Sequence, residues 1–244
     1  MKVILNGAGG RMGAEVRRLL EGGSLGTELV AAVDPSGMPG MLPSLEDYTG
    51  EADLIIDFSH HSATCALTEY AVKRSLPLII ATTGQDEQEL AMIQRAAESV
   101  PVFFSANMSI GIAALIRAAK AVAALYPDAD IEIIEQHHNR KLDAPSGTAL
   151  MIARSLTEIR PESSFLYGRG GQKKREKNEI GIHAVRMGNI IGEHEVIIGT
   201  DAETITLRHE AHSRALFADG AIAAACFLMD RPAGLYAMSD LVAK

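Results

Sequence analysis

The residues best suited to chemistry lie together in mid-chain, in the stretch Glu135-Gln136-His137-His138-Asn139-Arg140-Lys141-Leu142-Asp143-Ala144-Pro145-Ser146-Gly147-Thr148-Ala149. His137, His138, Arg140 and Lys141 can each carry positive charge or donate a proton. Pro145-Ser146-Gly147-Thr148, immediately after them, has helix-opening chemistry, which leaves the amides of Ser146, Gly147 and Thr148 without intrahelical acceptors. Amides at a helix start, reinforced by the helix dipole, suit a carboxylate or phosphate, and glycine admits the ligand close to the backbone. The stretch therefore reads as an anion-holding site with titratable groups beside it. A polar loop in which Ser146 merely caps a helix would account for Ser146 alone, but a cap needs neither paired histidines nor Lys141. The adjacent histidines lack the i,i+4 spacing of helix-borne ligands, and there is no CxxC pair or HExxH helix, so no metal is expected. Ser146 also lacks the G-x-S-x-G elbow of a serine nucleophile.

The elements that must position this stretch follow from periodicity. A strand-like run, Ile131 to Ile134, leads into it and a helix-like run, Ala149 to Leu156, leads out. Upstream, the short apolar strand Lys2 to Leu5 runs into Gly7-Ala8-Gly9-Gly10-Arg11-Met12-Gly13 and then a helical pattern, Ala14 to Leu20. Strand, glycine-rich turn and helix form the context in which a turn grips a pyrophosphate. The spacing fits G-x-x-G-x-x-G at 7, 10 and 13 rather than the usual G-x-G-x-x-G. Strand Glu28 to Val33 ends in Asp34, about twenty residues past the last glycine, where a ribose-binding carboxylate belongs. No basic residue follows Asp34 directly, which favours NADH over NADPH, with Arg11 as the one group that could reach a phosphate.

Alternation continues through strands Asp53 to Phe58, Pro77 to Ala81 and Val102 to Ser105, with helices Ser62 to Arg74 and Asp86 to Glu98 between them. Strands this apolar, separated by helices, predict a parallel sheet covered on both faces, with ligands beyond the strands' carboxyl ends. Ser59 and Ser105, at those ends, suit either a nicotinamide pocket or simple capping of connections, and His60 and His61 suit a solvated helix start. Helix Ile110 to Leu125 leads to the central stretch. Ile182 to Arg186, Glu195 to Ile198 and Thr204 to Arg208 are then short strands without helices between them, read as an antiparallel extension of the sheet begun at Ile131. Gly168 to Lys177, glycine-rich and basic, reads as a mobile, solvated loop, and helix Ala215 to Leu228 as packing back on the first domain. The expected class is α/β: a Rossmann-like parallel-sheet dinucleotide-binding domain over 1–108 and 212–244, and an α+β domain with an open mixed sheet over 109–211.

A chain of 244 residues with 47% hydrophobic and 22% charged residues is ordinary for a globular protein. Its net charge of −8 argues against a nucleic-acid or membrane-surface role, so the His/Lys/Arg cluster is a local reversal of sign. Cys65 and Cys226 read as buried thiols. Neither a signal peptide nor a bilayer-length apolar run is seen, and a cytoplasmic location is expected.

Taken together, the N-terminal glycine turn and Glu135-x-His137-His138-x-x-Lys141-x-Asp143-x-Pro145-Ser146-Gly147-Thr148 resemble the 4-hydroxy-tetrahydrodipicolinate (dihydrodipicolinate) reductase family. The second motif is highly specific, and Ala81-Thr82-Thr83-Gly84, Ser105-Ala106-Asn107-Met108, Gly192-Glu193-His194 and Ser213-Arg214 also sit in family order. The resemblance implies an NAD(P)H-dependent oxidoreductase of lysine and diaminopimelate biosynthesis, acting as a homotetramer on a small cyclic dicarboxylate. It implies that Gly7, Ala8, Gly9, Gly10, Arg11 and Met12 hold the pyrophosphate and Asp34 the adenosine ribose. Ala81, Thr82 and Thr83, with Ser105, Ala106, Asn107 and Met108, would surround the nicotinamide. His137 and Lys141 would transfer protons, and His138, Gly147 and Thr148 would bind substrate. Ala81 stands where the family often has glycine and Met108 where it often has phenylalanine, departures that touch the cofactor contacts more than the chemistry. Two other classes compatible with such a chain are a catalytically silent nucleotide-binding redox sensor and a dehydrogenase of another small acid on the same fold.

Overall fold

The computed structural model describes residues Met1–Ala243; Lys244, the last residue of the expected dinucleotide-binding span, lies outside the described residues. The chain forms two compact units, one of Met1–Ile110 with the segment from Arg214 onward, the other Gly111–Ser213.

In the first unit, β1 (Lys2–Asn6), β2 (Glu28–Val33), β3 (Leu54–Asp57), β4 (Leu78–Ile80), β5 (Pro101–Phe104) and β11 (Gly234–Tyr236) form one parallel sheet in the order β11-β5-β4-β3-β1-β2. β3 and β4 are buried at every position. That is why their sequences, Leu-Ile-Ile-Asp and Leu-Ile-Ile, read as continuous rather than alternating apolar runs. The strand order turns at β1, which has β2 on one side and β3 on the other. A switch point of this kind opens a crevice beyond the carboxyl ends of the two strands. The helices of the unit are α1 (Arg11–Glu21), α2 (Thr64–Arg74), α3 (Glu87–Ala97), α6 (Ala215–Leu228) and the short α7 (Met238–Leu241). α3 opens on a reciprocal capping box between Asp86 and Glu89. α6, apolar nearly all round, is buried at Ala218, Ala221, Ile222, Ala225 and Leu228 and lies along α1, as expected from its composition.

The second unit carries α4 (from Ile110 to Leu125), α5 (Gly147–Thr157) and a mixed sheet in the order β10-β9-β6-β8-β7. Its strands are β6 (Asp130–His137), β7 (Ser164–Tyr167), β8 (Glu179–Arg186), β9 (Glu193–Gly199) and β10 (Thr204–Glu210). The expected antiparallel extension is corrected here: β6 and β8 pair in parallel, as do β7 and β8, and only the β6–β9 and β9–β10 pairs are antiparallel. For β6 and β8 the crossover contains α5, which returns the chain in the same direction; between β7 and β8 the helix-free segment 168–178 makes that return. The core packs Leu115, Ala119 and Ala123 of α4 and Ile152, Ala153 and Leu156 of α5 against Ile131, Ile133, Ile180, Ile182, Val196 and Ile198. On β6 the buried phase continues past the isoleucines to Glu135 and His137.

Two surface readings change. Cys65 and Cys226 are exposed rather than buried, each on the outer side of its helix. The loop Gly168 to Lys177 is largely solvated but tethered, because Arg169 pairs with Glu179 and Arg175 with Asp130 and Glu132.

Candidate active site

At the switch point of the first unit the glycines separate by function. Gly7 adopts φ +78°, and a Cβ there would lie 2.5 Å from the Phe58 carbonyl carbon. A Cβ at Gly13 would lie 2.0 Å from the Gly7 carbonyl oxygen. A Cβ at Gly9 would sit 2.8 Å from Asp34 Cγ, a side-chain rather than a backbone contact. Gly10 is the N-cap of α1 in extended conformation, and a Cβ there would meet its nearest neighbour at 3.4 Å. Backbone contacts thus demand glycine at 7 and 13, two of the three positions in the sequence spacing. α1 has no side-chain cap and no acidic residue in its first turn. A tight turn delivering uncapped amides fits a diphosphate, so the residues present fit a dinucleotide. Asp34 accepts from the Gly9 amide at 3.0 Å and the Ser36 amide at 2.9 Å. The Ser36 hydroxyl and amide, with Gly9, hold its carboxyl below the usual range, so it is ionised at neutral pH.

Ser59 and Ser105 cap connections. Ser59 Oγ donates to Asp57 Oδ1 at 2.6 Å, and Ser105 Oγ to the Asn107 carbonyl at 2.8 Å. Asp57, buried at the end of β3, also accepts from Asn6 Nδ2 (2.8 Å) and Thr82 Oγ1 (2.6 Å), which ties together the ends of β1, β3 and the turn after β4. Thr82 and Met108 are buried, whereas Thr83 and Ala106 are exposed and Ala81 and Asn107 lie between. His60 caps the Ser62 amide as expected, while His61 is not simply solvated, since its Nδ1 lies 2.9 Å from the Glu89 carboxylate.

The second unit gathers the titratable cluster. Register places Arg186 opposite His137 and His194 opposite Glu135 on the two neighbours of β6. Glu135, fully buried, accepts from His137 Nδ1 (2.6 Å), Arg186 Nη1 (2.8 Å), Arg186 Nη2 (2.6 Å) and the Ser146 amide (2.9 Å). Burial pushes this carboxyl up, but the hydrogen bonds from His137, Arg186 and Ser146 together hold it at about 2. It is a fixed anion. The Ser146 amide is therefore occupied by Glu135, which corrects the expectation of an open donor. Gly147 remains at the exposed helix start, with Thr148 half-buried beside it.

Ser146 Oγ accepts from the Ala149 amide at 3.1 Å and lies 3.2 Å from His194 Nε2. Burial, and then the proximity of His137, lowers the His194 pKa to about 3, so this ring is neutral. It stands edge-on to His137 with centroids 5.3 Å apart. Lys141 Nζ pairs with Asp143 Oδ1 at 2.9 Å, and Arg186 Nη2 also reaches the Asp143 carbonyl at 2.7 Å. The loop bearing His138 is held by its amide on the Ile190 carbonyl at 2.8 Å.

The sequence reading assigned no role to Glu135, Arg186, Gly192 or His194. One signal was present: Glu135 and His137 continue the inward phase of Ile131 and Ile133, and ionisable groups in a buried phase must have partners.

A strand-borne histidine locked to a buried carboxylate, beside a lysine and a helix start, is an arrangement for proton transfer to a bound anion. Comparison with known proteins gives it a lineage. The description "Dihydrodipicolinate reductase, N-terminus" matches residues 1–108, and "Dihydrodipicolinate reductase, C-terminus" matches residues 111–242. The chain belongs to the dihydrodipicolinate reductase family. A 4-hydroxy-tetrahydrodipicolinate reductase of Caldanaerobacter subterraneus subsp. tengcongensis is 46% identical, covering 100% of this chain and 99% of that one. One from Clostridium tetani is 41% identical over 99% and 97%. Among solved structures, a dipicolinate-bound dihydrodipicolinate reductase from Paenisporosarcina sp. TG-14 superposes with TM-score 0.83 at 27% identity over 99% of both chains. An amine dehydrogenase from Mycobacterium smegmatis, 8% identical with TM-score 0.66 over 98% and 95%, shares the fold alone. The family's C-terminal segment takes in α6, which in the structure belongs to the first unit; the division by sequence and the division by packing differ there. Among the described residues, no group of three or more His, Cys, Asp or Glu is arranged to hold a metal, and no helix is long and apolar enough to cross a membrane.

Proposed function

We propose that the protein reduces 4-hydroxy-tetrahydrodipicolinate to tetrahydrodipicolinate with NADH or NADPH, in the route to diaminopimelate and lysine. The observation that carries this reading is the cluster of Glu135, His137, Arg186 and Ser146 at the start of α5, in a chain of this family. The balance is one hydride and one proton added to the ring and one water lost. The bound dinucleotide supplies the hydride. In the first unit, Gly7 through Met12 hold the pyrophosphate and Asp34 the adenosine ribose, while Ala81, Thr82 and Thr83 with Ser105, Ala106, Asn107 and Met108 line the nicotinamide end. In the second unit, one substrate carboxylate rests on the start of α5 at Gly147 and Thr148, with His138 beside it. His137 and Lys141 supply proton and positive charge to the reacting ring. Lys141 must exchange its partner Asp143 for substrate to do so.

The anchored, ionised Asp34 accepts ribose hydroxyls and repels a 2′-phosphate, which supports a preference for NADH; the exposed Arg11 limits its size. We further assign a homotetramer, as the family resemblance implies, and a cytoplasmic location; sedimentation of the purified protein checks the assembly.

The test follows NADH and NADPH absorbance with enzymatically generated substrate, with dipicolinate as competitor. Lys141→Ala is expected to lower kcat by on the order of 100-fold or more while NADH binding stays near that of the wild type. Near-normal turnover in that variant would remove Lys141 from the mechanism.

A further inference from the structure

His137 presents two ring nitrogens to two different surroundings. Nδ1 lies 2.6 Å from Glu135 Oε2, and that carboxylate is itself immobilised by both arms of Arg186 and by the Ser146 amide. An ionised carboxylate only accepts, so Nδ1 carries a hydrogen in either charge state of the ring, and Nε2 is the nitrogen that gains and loses its proton. At the opposite edge stands Gly192. A Cβ built there would lie 3.0 Å from Nε2, 3.5 Å from Cδ2 and 3.8 Å from Cε1. The backbone at Gly192 is not left-handed, so conformation does not require glycine; space does. The ring cannot slide away from an added methyl, because Nδ1 is tied to Glu135 and the His194 ring stands 5.3 Å off. Gly192 is itself fixed, its carbonyl accepting from the Ala211 amide at 2.9 Å.

We infer that Glu135 and Gly192 are positioning residues for His137, the carboxylate fixing which nitrogen keeps its proton and the glycine keeping the edge at Nε2 open to the ring being protonated. In the step itself, the Nε2–H bond breaks, its proton goes to the carbon made electron-rich by hydride addition, and the ring is left neutral with its hydrogen on Nδ1, held by Glu135. The inference rests on His137 being the proton-transfer group.

The experiment compares the full-length wild type, His137→Ala, Gly192→Ala, Glu135→Gln and the His137→Ala/Gly192→Ala double variant. It measures kcat, KM for substrate, NADH dissociation constant and dipicolinate inhibition. Gly192→Ala and Glu135→Gln are expected to lose on the order of 100-fold in kcat with NADH affinity within about two-fold of wild type. In the His137→Ala background, Gly192→Ala is expected to cost nothing further. If His137→Ala turns over normally, the assignment of His137 fails. If His137→Ala is slow but Gly192→Ala keeps wild-type kcat, or if its loss adds in full to that of His137→Ala, the positioning role fails and the assignment stands. Should Glu135→Gln not fold, Gly192→Ala decides alone, since alanine takes that backbone conformation without strain.

Discussion

Asp57 and Glu135 are alike in placement and opposite in electrostatics. Each ends or nearly ends a strand with a parallel neighbour, and each is almost wholly buried. Asp57 receives only neutral donors, from Asn6, Ser59 and Thr82. Burial wins there, and its carboxyl titrates above the usual range despite those hydrogen bonds. Glu135 receives a bidentate guanidinium, an imidazole and an amide, and these outweigh burial. At Asp57 the neutral dipoles do not offset desolvation, whereas at Glu135 the hydrogen bonds from His137, the Arg186 guanidinium and the Ser146 amide together do. The first unit therefore uses its acid as a strap between loops. The second holds a permanent negative charge against the group proposed to move protons.

The largest effect is expected at Arg186. Arg186→Leu leaves Glu135 buried without its bidentate guanidinium partner and should cost about 3–5 kcal/mol in urea unfolding; wild-type stability in this variant would erase the contrast. Next comes acidification. Glu135 contributes stability that is full above its ordinary value of 4.5 and lost as pH falls toward about 2, on the order of 3 kcal/mol in all. Asp57 acts with the opposite sign: its folded pKa lies above 3.8, so the native state takes up that proton first and gains stability as pH falls. Urea midpoints between pH 5 and 2.5 should accordingly fall more steeply in Asp57→Asn than in the wild type, and less steeply in Glu135→Gln. The smallest effect is Asp57→Asn at neutral pH, within about 1 kcal/mol by thermal unfolding, because the Ser59 and Thr82 hydroxyls can turn from donors into acceptors. A loss as large as that of Arg186→Leu would mean Asp57 is a structural anion after all.

Much of the architecture was legible from local pattern. α4 and α6 begin and end where their apolar periodicity does, at Ile110–Leu125 and Ala215–Leu228. β7 and β11 are not legible in the sequence because, unlike the equally short β3 and β4, neither has a buried position, so neither shows the continuous apolar run that marks a core strand. The parallel direction of β8 was missed for a related reason: alternation reports which face a residue occupies, not which way the adjacent strand runs. The glycine turn is legible in the sequence, but which of its glycines the backbone requires shows only in the approach of Phe58 to Gly7 and of Gly7 to Gly13.

The candidate site divides in the same way. The order of residues from Glu135 to Thr148 was enough to mark a loop with proton donors feeding a helix start, because capping, charge and glycine act within a few residues of one another. Sequence alone left Glu135 without a partner and Gly192 without a purpose. Arg186 lies 51 residues from the carboxylate it grips, and His194 lies 48 from the serine it faces. Those meetings are set by the register of β8 and β9 on β6, which depends on how two faces of a sheet pack rather than on any local run, and a slip of one residue would turn every one of these side chains away.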